Sequence, residues 1–208
     1  MKRMPKLNSE TRLLIVCEGS EEYDYLDRLK QCKVWNSNYC IKIKDAKSID
    51  NIAALYEYWY QSGTYVLVVV FCDTEKYPYV QYNLLKEKIN KFHGAKVADK
   101  IVFFANPCSM QIILSHFNNV SLKTNDKTEN GELIKRLTGL KNYEASEQQR
   151  RAITNKINKQ NYATMKKNIS TLSSDFNTVP SSNVLQLFNA LEKDDKKWIS
   201  LINKKLEK

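Results

Sequence analysis

Two acidic signals, each at the exit of an apolar run, carry the chemistry of this chain. Glu18 follows Leu13-Leu14-Ile15-Val16-Cys17, and Asp73-Thr74-Glu75 follows the run from Tyr65 to Cys72. Carboxylates beside buried β-structure need their charge compensated, and the ends of strands in an open α/β sheet are where ligands bind. A divalent cation is the simplest compensation. Strand geometry continued through Thr74 would point Asp73 and Glu75 to the same side, where both reach one ion. Hard oxygen ligands favour Mg²⁺ or Mn²⁺ over zinc, and such ions keep waters and bind substrate phosphates. The implied reaction is phosphoryl transfer, with Glu18 also the group that takes or donates a proton.

The elements that must position these acids are legible as strand and helix alternations. Leu13 to Cys17 reads as a buried strand and Glu21 to Gln31 as a helix, with Tyr25, Leu26 and Leu29 on one face. Tyr39 to Lys44 alternates like a more exposed strand. Ser48 caps a helix running to about Gln61, and Gly63 ends it. Tyr65 to Cys72 suits a central parallel strand buried on both faces. Tyr79 to Phe92 reads as a helix and Lys100 to Ala105 as a fourth strand. Cys108 to Phe117 reads as a helix introduced by Asn106-Pro107, with proline in the first turn. Four such alternations predict a small doubly wound parallel sheet.

After Asn118 the pattern changes. Residues 119 to 131 read as a polar, mobile loop. Helical patterns follow over about 132–139, 144–159, 161–173 and 181–206. The expected organisation is a basic arm at 1–12, an α/β domain at 13–118, and a helical basic region at 119–208 packed on the sheet, with a separate basic bundle as the alternative.

Net charge is +10 over 208 residues, and its distribution is uneven. Residues 13–120 carry 12 basic and 12 acidic side chains, residues 1–12 carry 4 and 1, and residues 121–208 carry 17 and 10. A neutral core with basic flanks suits chemistry on a polyanion held by the flanks, although lysines also serve simply to solvate a helical tail. The five cysteines are odd in number, have no Cys-x-x-Cys pairing and mostly sit in apolar runs, which predicts a reduced, cytoplasmic compartment. No signal peptide and no membrane span is apparent, so a membrane partner is not expected.

Further candidates stand beside plainer readings. Glu22 is a further metal ligand or an acid favoured by the helix dipole. Asn106 orients a ligand or water, or caps the next helix. His116 ends an apolar helix, where packing or capping is the commoner role. Arg150, Arg151, Lys156, Lys159, Lys166 and Lys167 face phosphates, with Tyr143 and Tyr162 available to stack on bases, or else they form a solvated helix face. There is no Gly-x-x-x-x-Gly-Lys-Ser/Thr loop, which argues against nucleotide hydrolysis by this chain.

The combination of Cys17-Glu18-Gly19 and Asp73-Thr74-Glu75, with the intervening strand and two helices, resembles the Toprim fold of topoisomerases, primases and small nucleases. A closer resemblance is to the RloB-like and AbiLii-like small Toprim proteins of bacterial phage-defence (abortive infection) loci. It rests on Val16-Cys17-Glu18-Gly19 followed by Glu22 and Tyr25, one residue short of the family spacing, and on Asn106-Pro107-Cys108 opening a segment that ends in His116-Phe117. Three ordered motifs span residues 13 to 117. Two departures stand out: Glu75 replaces the second aspartate, and Ser109 and Met110 replace an aromatic residue and a glutamate, leaving Gln111 as the nearest polar substitute.

The resemblance implies a Toprim sheet of about four parallel strands flanked by helices, with a basic helical C-terminal extension. It implies a Mg²⁺- or Mn²⁺-dependent endonuclease, an RNase acting on tRNA or another structured RNA as the toxic effector of an anti-phage system, with DNA cleavage open. Glu18, Asp73 and Glu75 would hold the metal and act in catalysis. A partner ATPase of the ABC/AAA class is implied, and a homo-oligomer stays open. One alternative is a non-catalytic Toprim-like module that binds nucleic acid or the ATPase, motivated by Met110. Another is a sugar-nucleotide transferase, whose Asp-x-Asp also holds Mn²⁺ and a diphosphate; the Glu18 motif argues against it.

Overall fold

The structure, a computed structural model, describes residues 11–193 and 196–206. Of the expected N-terminal arm, residues 1–10 lie outside the described residues. Thr11 and Arg12 belong instead to the first strand, β1 (Thr11–Cys17), because Thr11 already sits in register with Tyr39. In chain order there follow α1 (Ser20–Gln31), β2 (Tyr39–Asp45), α2 (Ile49–Gln61), β3 (Leu67–Asp73), α3 (Val80–His93), α4 (Ala98–Ile101), β4 (Val102–Asn106), α5 (Met110–Leu114) and α6 (Gly131–Thr138). The remainder comprises α7 (Glu147–Thr154), α8 (Lys159–Ile169), β5 (Ser181–Ser182), α9 (Val184–Glu192) and α10 (Lys196–Leu206).

Among the described residues the sheet has five strands in the order β2-β1-β3-β4-β5. The first four are parallel, and β5 pairs antiparallel with β4 through Ala105–Ser182 and Asn106–Ser181. β3 is buried from Leu67 through Cys72, as a central strand covered on both faces must be. Edge strand β2 alternates, with Tyr39, Ile41 and Ile43 inward. Ser48 does cap α2, its hydroxyl accepting from the Asp50 N–H.

The strand order decides where a ligand can sit. The chain leaves β1 towards β2 on one side and leaves β3 towards β4 on the other, so the crevice between the carboxyl ends of β1 and β3 is the topological switch point. Right-handed crossovers put α1 on one face and α2 and α3 on the other.

The chain after Asn118 covers both faces. Phe188 of α9 meets Tyr25 of α1 at 6.4 Å and Tyr162 of α8 at 6.1 Å between ring centroids. On the other face the Leu206 carbonyl of α10 meets the His93 ring nitrogen Nδ1 at 3.2 Å. The region expected to be helical therefore also supplies a strand and packs on the sheet.

Two expectations need correction. The segment from Cys108 to Phe117 is helical only over Met110–Leu114, so Pro107 lies ahead of the helix rather than in its first turn. The loop at 119–131 is pinned rather than loose. Val120 and Leu122 are buried, and the Gln111 side chain clamps both, donating to the Val120 carbonyl and accepting from the Leu122 N–H. Among the described residues no helix is long and apolar enough to cross a membrane.

Candidate metal centre at the switch point

Glu18 stands one residue past β1 and Asp73 ends the neighbouring β3, so the sheet brings them together. The Asp73 backbone N–H donates to Glu18 Oε2 at 3.0 Å, which fixes the two strand ends to each other. The strand does not continue to Glu75 as the sequence reading required. Thr74 still donates its N–H to the Ala105 carbonyl, but Glu75 turns into the left-handed region with φ of 62°. The carboxyl nevertheless reaches Glu18 closely enough for the two to hydrogen-bond, and Asn125 donates to Glu75 Oε2 at 3.3 Å. The three acids meet by a turn rather than by strand alternation.

Glu22 joins them from the first turn of α1. It is 4% exposed, and both of its oxygens are engaged. Oε2 accepts from the Gly19 N–H at 3.0 Å, which caps the helix, and Oε1 accepts from the Ser109 hydroxyl at 2.5 Å. Ser109 also gives its backbone N–H to Asp73 Oδ1 at 2.6 Å. One serine therefore ties α1, β3 and the turn after β4 around the acids. Sequence reading passed it over as a mere departure from a motif.

Electrostatics single this cluster out. Glu18 is pushed up to about 9, chiefly by burial and then by the charge of Glu22, while the Asp73 N–H works in the opposite sense. Asp73 lies well above the usual carboxylate range, again from burial and then from Glu22 and Glu18. Glu22 is pushed up to about 7 by burial and by Glu21, with the Ser109 hydroxyl opposing. Among the described residues, no lysine, arginine or histidine forms an ion pair with Glu18, Glu22, Asp73 or Glu75.

Such a cluster must take up protons or a cation. The donor set fits Mg²⁺ or Mn²⁺: all oxygen, all acidic, with Glu18 Oε1 and Asp73 Oδ2 not committed to the hydrogen bonds above. It is not a finished cage, since no three His, Cys, Asp or Glu side chains among the described residues are arranged around one point as ion ligands. Over the acids lies a cavity of about 270 Å³ lined by Glu21, Asp73, Glu75, Asn125, Lys127 and Tyr143, among others. Glu21, which no motif flagged, accepts a hydrogen bond from the hydroxyl of Tyr143.

The other predicted residues fall elsewhere. Asn106 is 1% exposed, does not cap a helix and makes no hydrogen bond to the acids, although it lines a cavity with Glu75. Its Nδ2 donates to the Phe176 carbonyl at 2.7 Å, to the Thr178 carbonyl at 3.2 Å and to the Tyr79 hydroxyl at 3.2 Å, holding the loop before β5 against the sheet. His116 is buried between the Tyr25 hydroxyl, 3.0 Å from Nε2, and Asn161 Oδ1, 3.1 Å from Nδ1. Burial pushes it down to about 4, so it is a neutral packing residue.

Of the six candidate phosphate-facing cations, three are committed to other elements of the fold. Arg150 pairs with Asp24 at 2.7 Å, Lys166 with Glu192 at 2.6 Å, and Lys156 donates to the Thr138 carbonyl. Arg151 pairs with Glu147 on its own helix at 2.6 Å, while Lys159 and Lys167 are exposed. Tyr143 and Tyr162 do not stand ready to stack on bases, because both are buried, the first bonded to Glu21 and the second to Glu192. The chain matches no protein-family model, no curated protein and no solved structure.

Proposed function

We propose that this chain is a Mg²⁺- or Mn²⁺-dependent phosphodiesterase of the Toprim type, an endonuclease with RNA as the favoured substrate. The observation that carries the reading is the gathering of Glu18, Asp73 and Glu75 at the switch point, with Glu22 beside them and, among the described residues, no cation in an ion pair with any of them. A purely structural acid cluster would be expected to recruit a lysine or arginine, because burying like charges without one opposes folding.

Glu18, Asp73 and Glu75 would hold the metal. When bound, the ion supplies Lewis-acid polarisation of the phosphate and charge neutralisation. Glu18 holds its proton at neutral pH in the metal-free site and is the group placed to exchange a proton with a reacting oxygen. Ser109 and Gly19 engage both Glu22 oxygens, and through Ser109 its carboxylate is held beside Asp73, where it adds to the charge of the site. A role as toxic effector of a phage-defence system, beside an ATPase of the ABC/AAA class, follows from the motif resemblance and belongs to the same proposal.

The test is cleavage of total tRNA and of plasmid DNA by purified wild-type and Asp73→Ala protein, with Mg²⁺, Mn²⁺ or EDTA. Products that require both metal and Asp73 support the nuclease and name its substrate class. A second reading, a non-catalytic binding module, is favoured by Met110 at the place of the family glutamate and by the unfinished ligand cage. Metal-independent RNA binding with no products under any condition would select it.

A further inference from the structure

Three cavities adjoin one another at the acid end of the sheet, each sharing lining residues with the next. The cleft over the acids shares Glu75 and Asn125 with a cavity of about 180 Å³ on one side. On the other side it shares Lys127 and Tyr143 with a cavity of about 460 Å³. Both outer cavities are rimmed by lysines. Lys76 and Lys123 line the smaller, and Lys127, Lys135 and Lys141 line the larger.

All five are exposed, and among the described residues only Lys135 of these five forms an ion pair, with Glu132 on its own helix at 3.2 Å. Glu144 is the other acid of the larger cavity and Glu75 the acid of the smaller. The acids of the centre thus lie between two groups of largely unpaired cations. These cations differ from those of α7 and α8, half of which are spent on contacts within the fold.

The smaller cavity also carries an aromatic platform. Tyr77 is 83% exposed at its rim, set edge-on to buried Tyr79 with ring centroids 5.6 Å apart at 85°. A tyrosine held at one edge with its face in solvent offers a stacking surface for a nucleobase. At about 460 Å³ the larger cavity has the dimensions of a small-molecule site, which suits single nucleotides and not the width of a duplex.

We propose that these cavities form a track that binds a single-stranded polynucleotide, its phosphates running from Lys76 and Lys123 across the acidic centre to Lys127, Lys135 and Lys141, with a base stacked on Tyr77. The choice of ligand rests on the nuclease reading, and the placement rests on the adjoining cavities and their lysines. The track is built by the loop after β3 and by residues 123–141, so the segment between the sheet and α7 is the substrate-binding part of the chain.

Fluorescence anisotropy of a labelled single-stranded RNA 12-mer tests this, in EDTA and in Ca²⁺, against three proteins: wild type, Lys123→Glu/Lys127→Glu/Lys141→Glu, and Lys159→Glu/Lys167→Glu on α8. The track variant should lose affinity about tenfold or more, and its slope of log affinity on log salt should fall by about two. The α8 variant should stay within about twofold, and Tyr77→Ala should weaken binding by about tenfold without changing the salt slope. Unchanged melting temperatures establish that the surface variants fold.

Wild-type affinity retained in the track variant, a larger loss in the α8 variant, or no binding by wild type in either buffer would overturn the proposal. Cleavage is judged separately. Metal-dependent products from a track variant that binds normally leave the nuclease reading standing without the track, and track-dependent binding without products does the reverse.

Discussion

Arg150 on α7 and Lys166 on α8 each close an ion pair, with Asp24 and Glu192, whereas Glu18, Glu22, Asp73 and Glu75 crowd the ends of β1 and β3 with no cation paired to any of them among the described residues. The first region uses charge to attach one part of the chain to another. The second accumulates charge that the fold alone does not offset. Abundance of charge is therefore a poor guide to function here, since the most basic stretch of the sequence spends half its candidate cations on its own architecture. Uncompensated charge, held by backbone N–H groups and a serine, is the better guide.

The largest expected break between the two regions comes from Asp73→Asn, which keeps an acceptor for the Ser109 N–H but removes a carboxylate from the cluster. Cleavage should fall by about a thousandfold, the scale of a lost metal-borne stabilisation of several kcal/mol. Melting in EDTA should stay the same or rise, because repulsion is relieved. A fall in melting temperature alongside lost activity would make Asp73 a structural residue instead.

Stability of the metal-free protein should depend on pH in the opposite sense to an ordinary ion-paired carboxylate. Glu18 in the fold is raised from 4.5 to about 9 and Glu22 to about 7, so between those values the folded state keeps protons that the unfolded chain has released. Stability contributed by these groups is full below about 4.5 and is lost as pH rises towards 9. Thermal melts in EDTA should fall across that window, and Mn²⁺ should restore the loss, by about 5 °C or more at pH 8.5 and by less at pH 6. A flat EDTA profile would show that the acids are offset within the chain.

His116 supplies the acid limb. Its folded value of about 4 lies below the unfolded 6.5, so the unfolded state binds the extra proton and stability drops as pH falls from 6.5 through 4, by at most about 3 kcal/mol. Glu18 and Glu22 gain stability over the same window, so denaturant titrations at pH 7 and 4.5 should show the His116 loss as a difference, wild type falling relative to His116→Gln as the pH is lowered. The smallest effect is expected in the paired region. Arg150→Met should cost about 1 kcal/mol, given that its partly exposed pair is screened, and should leave RNA affinity within about twofold. A large loss of RNA binding there would return α7 to the nucleic-acid surface.

The parallel core was legible because burial on both faces writes itself as an apolar run. Leu67 to Cys72 could hardly be anything else, and β1 through α3 follow the expected order to within two residues at most ends. β5 was not legible. Two serines carry no hydrophobic period, and the strand is defined by its pairing with β4, by the Ser182 hydroxyl donating to the Phe104 carbonyl and by the Ser182 N–H donating to the Ser173 carbonyl.

The acids were found because they sit at strand ends, but their assembly was misjudged. Glu75 arrives through a left-handed turn, a conformation that the residue type does not announce. Ser109, Glu21 and the buried fate of Tyr143 depend on contacts between segments some 90 to 120 residues apart, as with Ser109 to Glu22 and Tyr143 to Glu21, and that of Tyr162 on Glu192, 30 residues away. No local pattern encodes such contacts. The cationic track has the same origin in part, since the lysines of 123–141, unlike Lys76 beside Glu75, lie far from the acids in sequence and follow a loop pinned by Gln111.

The most direct measurement is isothermal titration of Mn²⁺ into wild-type, Glu18→Gln and Asp73→Asn protein at pH 8, in two buffers of different ionisation enthalpy. Saturable binding by wild type with release of protons, weakened tenfold or more in both variants, is the predicted result. Absence of binding, or equal affinity in all three proteins, would contradict a metal centre at the β1–β3 switch point.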